Sequence, residues 1–238
     1  MNLNEMIYKR KSVRSYTNQS VDDATLAKIR SFAENARPLY PEIKTRMEIV
    51  DRSSVRCIFP WTTQQLISIY TEGAPGDLEN IGFIYQQLDL YLQSLGLGAC
   101  WLGMGRMKKL PAEKGMKFAI MLAFGHPKGA AQRTSLDEFK RKNLSEISDI
   151  PDERLKPAQF APSSVNSQPW RFTHEGDTIH VHCVQQGMMK AVLSDFNRID
   201  TGIALAHMYV ANPDSFRFFC AENIPSPRGC AYIGSFTL

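Results

Sequence analysis

Ala161-Pro162-Ser163-Ser164-Val165-Asn166-Ser167-Gln168-Pro169-Trp170 is the most informative stretch of this 238-residue chain. Its prolines cannot donate to a strand ladder, and its serines and asparagine compete for helix hydrogen bonds, so it is neither a core helix nor a central strand. It reads as a rigid loop that offers hydroxyl and amide groups, suited to the edge of a heterocycle, and that ends on a large aromatic. Taken alone, an ordinary loop would have the same composition. A second unusual stretch, Arg10-Lys11-Ser12-Val13-Arg14, follows a short amphipathic helix expected over 3–9. Three cations and a hydroxyl in five residues suit a phosphate. A solvated basic turn would read alike.

The chain around these stretches alternates helical and strand patterns. Val21-Asp22-Asp23 sets a carboxylate before Leu26, Ile29 and Phe32 at helical spacing, which marks a helix start. Thr45 to Val50 alternates as a strand. The best helix runs from Gly76 to Leu95, with Ile81, Ile84, Tyr85, Leu88, Tyr91, Leu92 and Leu95 on one face and Gly96 as its stop. Gly96 to Gly103 reads as a glycine-broken apolar loop, and Phe118 to Gly125 as a buried central strand. Beyond a polar stretch over 134–149 the texture returns. Pro151 to Lys156 echoes Asp22 to Ala27, and Thr178 to Val184 alternates as the strand around Ile49 does. Ile203, Leu205, Ala206, Tyr209 and Val210 echo the helix beginning near Ile81. The repeated order of helix, strand and long helix predicts an internal duplication, with halves at 1–145 and 146–238. An α+β chain without that history can show the same texture.

Hydrophobic residues make up 43% of the chain and charged residues 22%, which excludes a disordered, collagen-like or disulfide-framework protein. The net charge is only +4, and beyond the first stretch the cations are dispersed without interleaved aromatics, so nucleic acid is excluded as the expected partner. Five scattered cysteines without a CxxC pair imply reduced thiols, neither a zinc site nor a disulfide set. His180 and His182 form an i, i+2 pair without a third ligand nearby, so no metal is expected. Met1 to Met6 lacks a signal-peptide core, and no run approaches the ~18 apolar residues that cross a bilayer. A soluble cytoplasmic protein is the expectation.

Together the two stretches resemble the signatures of the FMN-dependent nitroreductase family. Arg10 to Tyr16 matches its basic pair, Ser, Val, Arg, any residue, aromatic. Ala161 to Trp170 matches its Ala-Pro-Ser through Asn-x-Gln-Pro-Trp pattern. Gly96 to Gly103, Leu110-Pro111-Ala112-Glu113 and Phe124-Gly125-His126-Pro127 match further landmarks. In ordinary members the second signature follows the first within a few dozen residues, where this chain has Ala33 to Pro38 without the polar pattern. The resemblance is therefore to an internally duplicated branch, in which two tandem halves imitate the family homodimer and keep complementary parts of one site.

That resemblance implies an α+β three-layer sandwich and one FMN per chain. Arg10, Lys11 and Ser12 would hold the phosphate and ribityl chain with help from Arg133, and Arg14 would lie near the pyrimidine end. Backbone groups of Leu102 and Gly103 would face the N5 side. Pro162, Ser163, Ser164, Asn166 and Gln168 would line the ring, with Trp170 packed behind. No side chain is expected as nucleophile or general base, because the flavin carries the chemistry. The implied reaction is ping-pong transfer from NAD(P)H to a small-molecule acceptor, a nitroaromatic, quinone or similar compound. A pseudo-dimeric chain would be monomeric. A different class also fits the residues: a flavin-binding or flavin-storing protein without efficient turnover.

Overall fold

The computed structural model describes residues 2–58, 63–109, 115–185 and 190–238. The Leu110 to Glu113 landmark lies outside them. The chain divides into two compact units, Met1–Asp77 with Gln87–Glu138, and Leu78–Gln86 with Phe139–Leu238. The sequence-based boundary at 145/146 thus compares with one at 138/139 and a short segment contributed from earlier in the chain.

In the first unit, α1 (Leu3–Ile7) starts at Asn2 and α2 (Asp23–Asn35) at Asp22, whose carboxylate accepts from Thr25 N at 2.9 Å. There follow β1 (Thr45–Asp51), β2 (Val55–Cys57), β3 (Gln65–Thr71), α3 (Asp77–Ser94), β4 (Gly98–Leu102), β5 (Gly105–Met107) and β6 (Lys117–Gly125). Four strands form an antiparallel sheet in the order β1-β3-β6-β4, and β2 pairs with β5. Val13, Tyr16, Val55, Leu66, Leu102, Met121 and Ala123 pack into one core cluster.

Two expectations change here. The stretch 96–103 is not a loop: residues 98–102 form β4, paired to β6 from Gly98–Gly125 to Leu102–Met121. Its glycine is a point of close approach rather than a break, because a Cβ on Gly98 would lie 2.7 Å from the Val13 side chain. Val13 N donates to Ala99 O at 3.0 Å, so the basic stretch runs along the free edge of β4. The helix α3 is not amphipathic either. Glu79, Asn80, Gln86, Gln87, Asp89 and Gln93 are buried along with its apolar face. Its end is as expected: Gly96 has φ 78°, and Leu97 N reaches Leu92 O while Gly96 N reaches Gln93 O.

The second unit contains α4 (Leu144–Ile147), α5 (Lys156–Gln159), β7 (Trp170–Glu175), β8 (Thr178–Val184), α6 (Lys190–Ala211), β9 (Arg217–Phe219) and β10 (Cys230–Thr237). The echo of α2 at 151–156 is only a 3-10 turn (Glu153–Leu155) running into the four-residue α5. Leu78–Gln86 of α3 packs against α6 through two glycines. A Cβ on Gly82 would lie 2.0 Å from Ile199 O, and one on Gly202 would lie 2.0 Å from Glu79 O. The second sheet is antiparallel in the order β7-β8-β10-β9.

Both units therefore share one topology. Each sheet takes two antiparallel strands, then a long helix, then two more strands, with the last strand lying between the second and the third. Each also carries a bulge in its last strand, at Ala119 of β6 and Ile233 of β10, opposite the latter part of the second strand.

Candidate functional site

The basic stretch is built around the polar face of α3. Arg10 is 1% exposed, and its Nε donates to Asp89 Oδ2 at 2.8 Å while Nη2 donates to Ser12 Oγ at 3.3 Å. Lys11 N donates to Gln93 Oε1 at 2.8 Å. Arg133 Nη1 donates to Arg10 O, and Arg133 N to Lys9 O at 2.7 Å. Arg10, Lys11, Ser12 and Arg133 are thus brought together. Burial, and then the Arg10 charge, pull the Arg133 guanidinium below its ordinary range. Asp89 pairs with Arg10, and Glu138 partly offsets the repulsion that Arg10 exerts on Arg133, a repulsion that a bound dianion would also relieve. The donor set fits a phosphate.

Arg14 is exposed on the next turn of chain and acts electrostatically on Tyr16 and Cys100. Burial pushes both the Tyr16 hydroxyl and the Cys100 thiol up, and Arg14 opposes it in each case. Tyr16 OH donates to Val13 O at 2.6 Å, which pins the stretch against the core. Leu102 is a core side chain, and the Gly103 carbonyl already accepts from Arg106 Nη1 at 2.7 Å.

In the second unit, the loop 162–168 is strained and heavily braced. Val165 (φ 47°), Asn166 (φ 57°) and Gln168 (φ 47°) are all left-handed. Such a conformation costs an L-residue about 1–2 kcal/mol, most for a β-branched one, and is held only by its surroundings. The bracing comes from the basic run 140–142. Asn166 Oδ1 accepts from Arg141 Nη1 at 2.6 Å, and its Nδ2 donates to Lys140 O at 2.7 Å. Gln168 Oε1 accepts from Lys142 N at 2.8 Å, and Lys142 Nζ donates to Ser167 O at 2.7 Å. Gln168 N donates to Ser163 Oγ at 2.9 Å. Asn166 and Gln168, expected to read a ring, spend their side-chain groups on shaping the loop. Pro162 is buried, and the half-buried Ser164 hydroxyl stays outside these bonds.

Trp170 is buried as expected. Its indole Nε1 and the Ser167 Oγ are buried without a hydrogen-bond partner among the described residues. Ser164 N donates to Asp200 Oδ2 of α6 at 2.9 Å. Burial pushes the Asp200 carboxyl up to about 8, against the pull of that amide.

Sequence reasoning missed Asp89, Gln93, Arg141, Lys142 and Asp200. The signal for Asp89 and Gln93 was their i, i+4 spacing on the face of α3 opposite the apolar set. The run Lys140-Arg141-Lys142 stood out only as part of a polar linker. Among the described residues no group of three or more His, Cys, Asp or Glu is placed to hold a metal, and no helix is long and apolar enough to cross a membrane. All five cysteines are free thiols.

The chain belongs to the nitroreductase family: the family model described as "Putative TM nitroreductase" matches residues 2–212. Among solved structures it is similar to a "putative nitroreductase" from Thermotoga maritima MSB8, with a TM-score of 0.64 and 21% identity over 99% of this chain and 92% of that one. It is also similar to a nitroreductase family protein from Clostridium difficile 630, with a TM-score of 0.50 and 19% identity over 62% of this chain and 96% of that one. An "FMN-dependent Nitroreductase" from Clostridium difficile R20291 aligns at a TM-score of 0.45 and 16% identity, over 57% of this chain and 93% of that one. No curated protein matches. The α+β fold is that of the nitroreductases.

Proposed function

We propose that this nitroreductase binds one FMN per chain and passes electrons from NAD(P)H to a nitroaromatic, quinone or similar small acceptor in ping-pong fashion. The observation that carries the reading is the pair of guanidiniums, Arg10 and Arg133, held together at the family's basic signature, with the Arg10 charge paired to the buried Asp89. When bound, the flavin supplies the hydride and electron chemistry. Lys11, Ser12 and Arg133 hold its phosphate, and Arg10 contributes from a position fixed by Asp89. Arg14 sets a permanent positive charge at the pyrimidine edge, and backbone groups at Leu102 and Gly103 face the opposite side of the ring. Pro162, Ser163 and Ser164 line it, while Asn166 and Gln168 keep the loop in its left-handed shape. The assignment of both segments to one flavin rests on the family motifs they carry.

The matching strand orders, the matching bulges and the single copy of each signature support an internal duplication in which each half kept one part of an ancestral dimer site. A monomeric enzyme follows from that reading. The test is to reconstitute the purified protein with FMN and mix it rapidly with NADPH. Bleaching of the visible flavin absorbance, recovered on adding a quinone, supports the reading. A yellow protein that does not bleach is a flavin store, and a protein that takes up no FMN overturns both.

A further inference from the structure

One buried carboxylate touches the candidate loop and has no part in the function proposed above. Asp200 lies on α6 at 5% exposure, and its Oδ2 accepts the Ser164 amide at 2.9 Å. Ser164 opens the turn in which Val165, Asn166 and Gln168 take left-handed φ values. Among the described residues the remaining bonds of 163–168 are local or run to 140–142, and the Ser164 amide ties this strained turn to the long helix.

The electrostatics around Asp200 are one-sided. Arg198, on the same helix, spends its guanidinium on Glu79, at 2.8 Å to each carboxylate oxygen. Cys183 of β8 feels the Asp200 charge, but its thiol is itself pushed up to about 11, first by burial. Among the described residues no cation pairs with Asp200, and burial pushes its carboxyl up to about 8, toward the protonated form. Its carbonyl oxygen can still accept the Ser164 amide in that form.

We propose that Asp200 is the positioning residue of the 163–168 loop, and that the loop held in this way is needed for flavin binding. The flavin clause rests on the function proposed above; the loop clause does not. Two measurements separate them. Amide hydrogen exchange of the peptide covering 160–170 reads the loop directly. It should be slow in the wild type and in Asp200→Asn, which keeps an acceptor for the Ser164 amide, and fast in Asp200→Leu. FMN titration should follow the same order: near wild-type affinity in Asp200→Asn and binding weaker by about tenfold or more in Asp200→Leu. Equal exchange in the two variants overturns the positioning role. Exchange that behaves as expected in a protein that binds no FMN sustains the role and overturns the flavin reading alone.

Discussion

Arg10 and Asp89 form an ion pair sealed inside the first unit, 2.8 Å from Nε to Oδ2, with side chains 1% and 0% exposed. The sequence offers Arg10 as a free cation for a ligand, but it is also half of a buried pair. Its removal therefore damages the fold as well as any anion site.

Replacing Asp89 by alanine leaves the Arg10 charge buried without its counter-ion. Loss of one partner of such a pair costs about 3–5 kcal/mol. For a chain of this size the melting temperature should fall by roughly 10 °C. Arg10→Met together with Asp89→Leu removes both charges and should recover most of the loss in thermal denaturation.

Gly202 and Gly82 mark where α6 and the middle of α3 meet backbone to backbone. Alanine at Gly202 sets a Cβ 2.0 Å from Glu79 O, which cannot swing away as a side chain can. Overpacking of this kind costs about 3 kcal/mol, at the top of the usual range. Gly129→Ala, with nothing within 4 Å of the added atom, is the control and should stay within about 0.5 kcal/mol in denaturant titrations.

Acid should destabilise the second unit through His182. Its Nε2 lies 2.9 Å from Thr173 Oγ1 and its Nδ1 3.2 Å from Ser226 Oγ, and the ring is fully buried. Burial, then repulsion from His180, lower it to about 4. The unfolded ring takes up its proton near pH 6.5, so stability is complete above that value and declines as the pH falls toward 4. The loss reaches at most about 3 kcal/mol. Melting curves across that window should show the decline in wild type and a shallower one in His182→Gln.

Arg14 is the cation assigned to the pyrimidine edge of the flavin. A guanidinium there cannot lose its proton and favours the reduced, anionic ring over the oxidised one. After desolvation costs, a differential of about 1–2 kcal/mol corresponds to about 20–45 mV for a two-electron couple. Arg14→Gln should lower the midpoint potential by that amount in a redox-dye titration. An unchanged potential with weakened FMN binding would move Arg14 to the phosphate.

What the sequence made legible was the apolar framework. The helix starting after Gly76, the strand ending at Gly125 and the cap at Asp22 all follow from local periodicity and termini, which depend on few residues. The strand at 98–102 was hidden by Gly98, whose purpose is room for Val13, a residue far away in the chain. The buried polar face of α3 was hidden because Asp89 and Gln93 find partners in the N-terminal stretch, and no periodicity reports a partner. Left-handed Val165 ran against the propensity of a β-branched residue, and the bracing from Arg141 and Lys142 that permits it is tertiary. The two basic and polar signatures located the candidate segments, while the roles of Asn166 and Gln168 within theirs emerged only from their hydrogen bonds.

The most direct test of the account is calorimetric titration of the full chain with FMN and with riboflavin, in wild type and in Arg133→Ala. The account predicts one FMN per chain. It also predicts a loss of about 1.5–3 kcal/mol in FMN affinity on removing the Arg133 guanidinium, from a charge-assisted bond to phosphate, with riboflavin affinity unchanged. No uptake of FMN by the wild type, two flavins per chain, or an equal loss for FMN and riboflavin would contradict it.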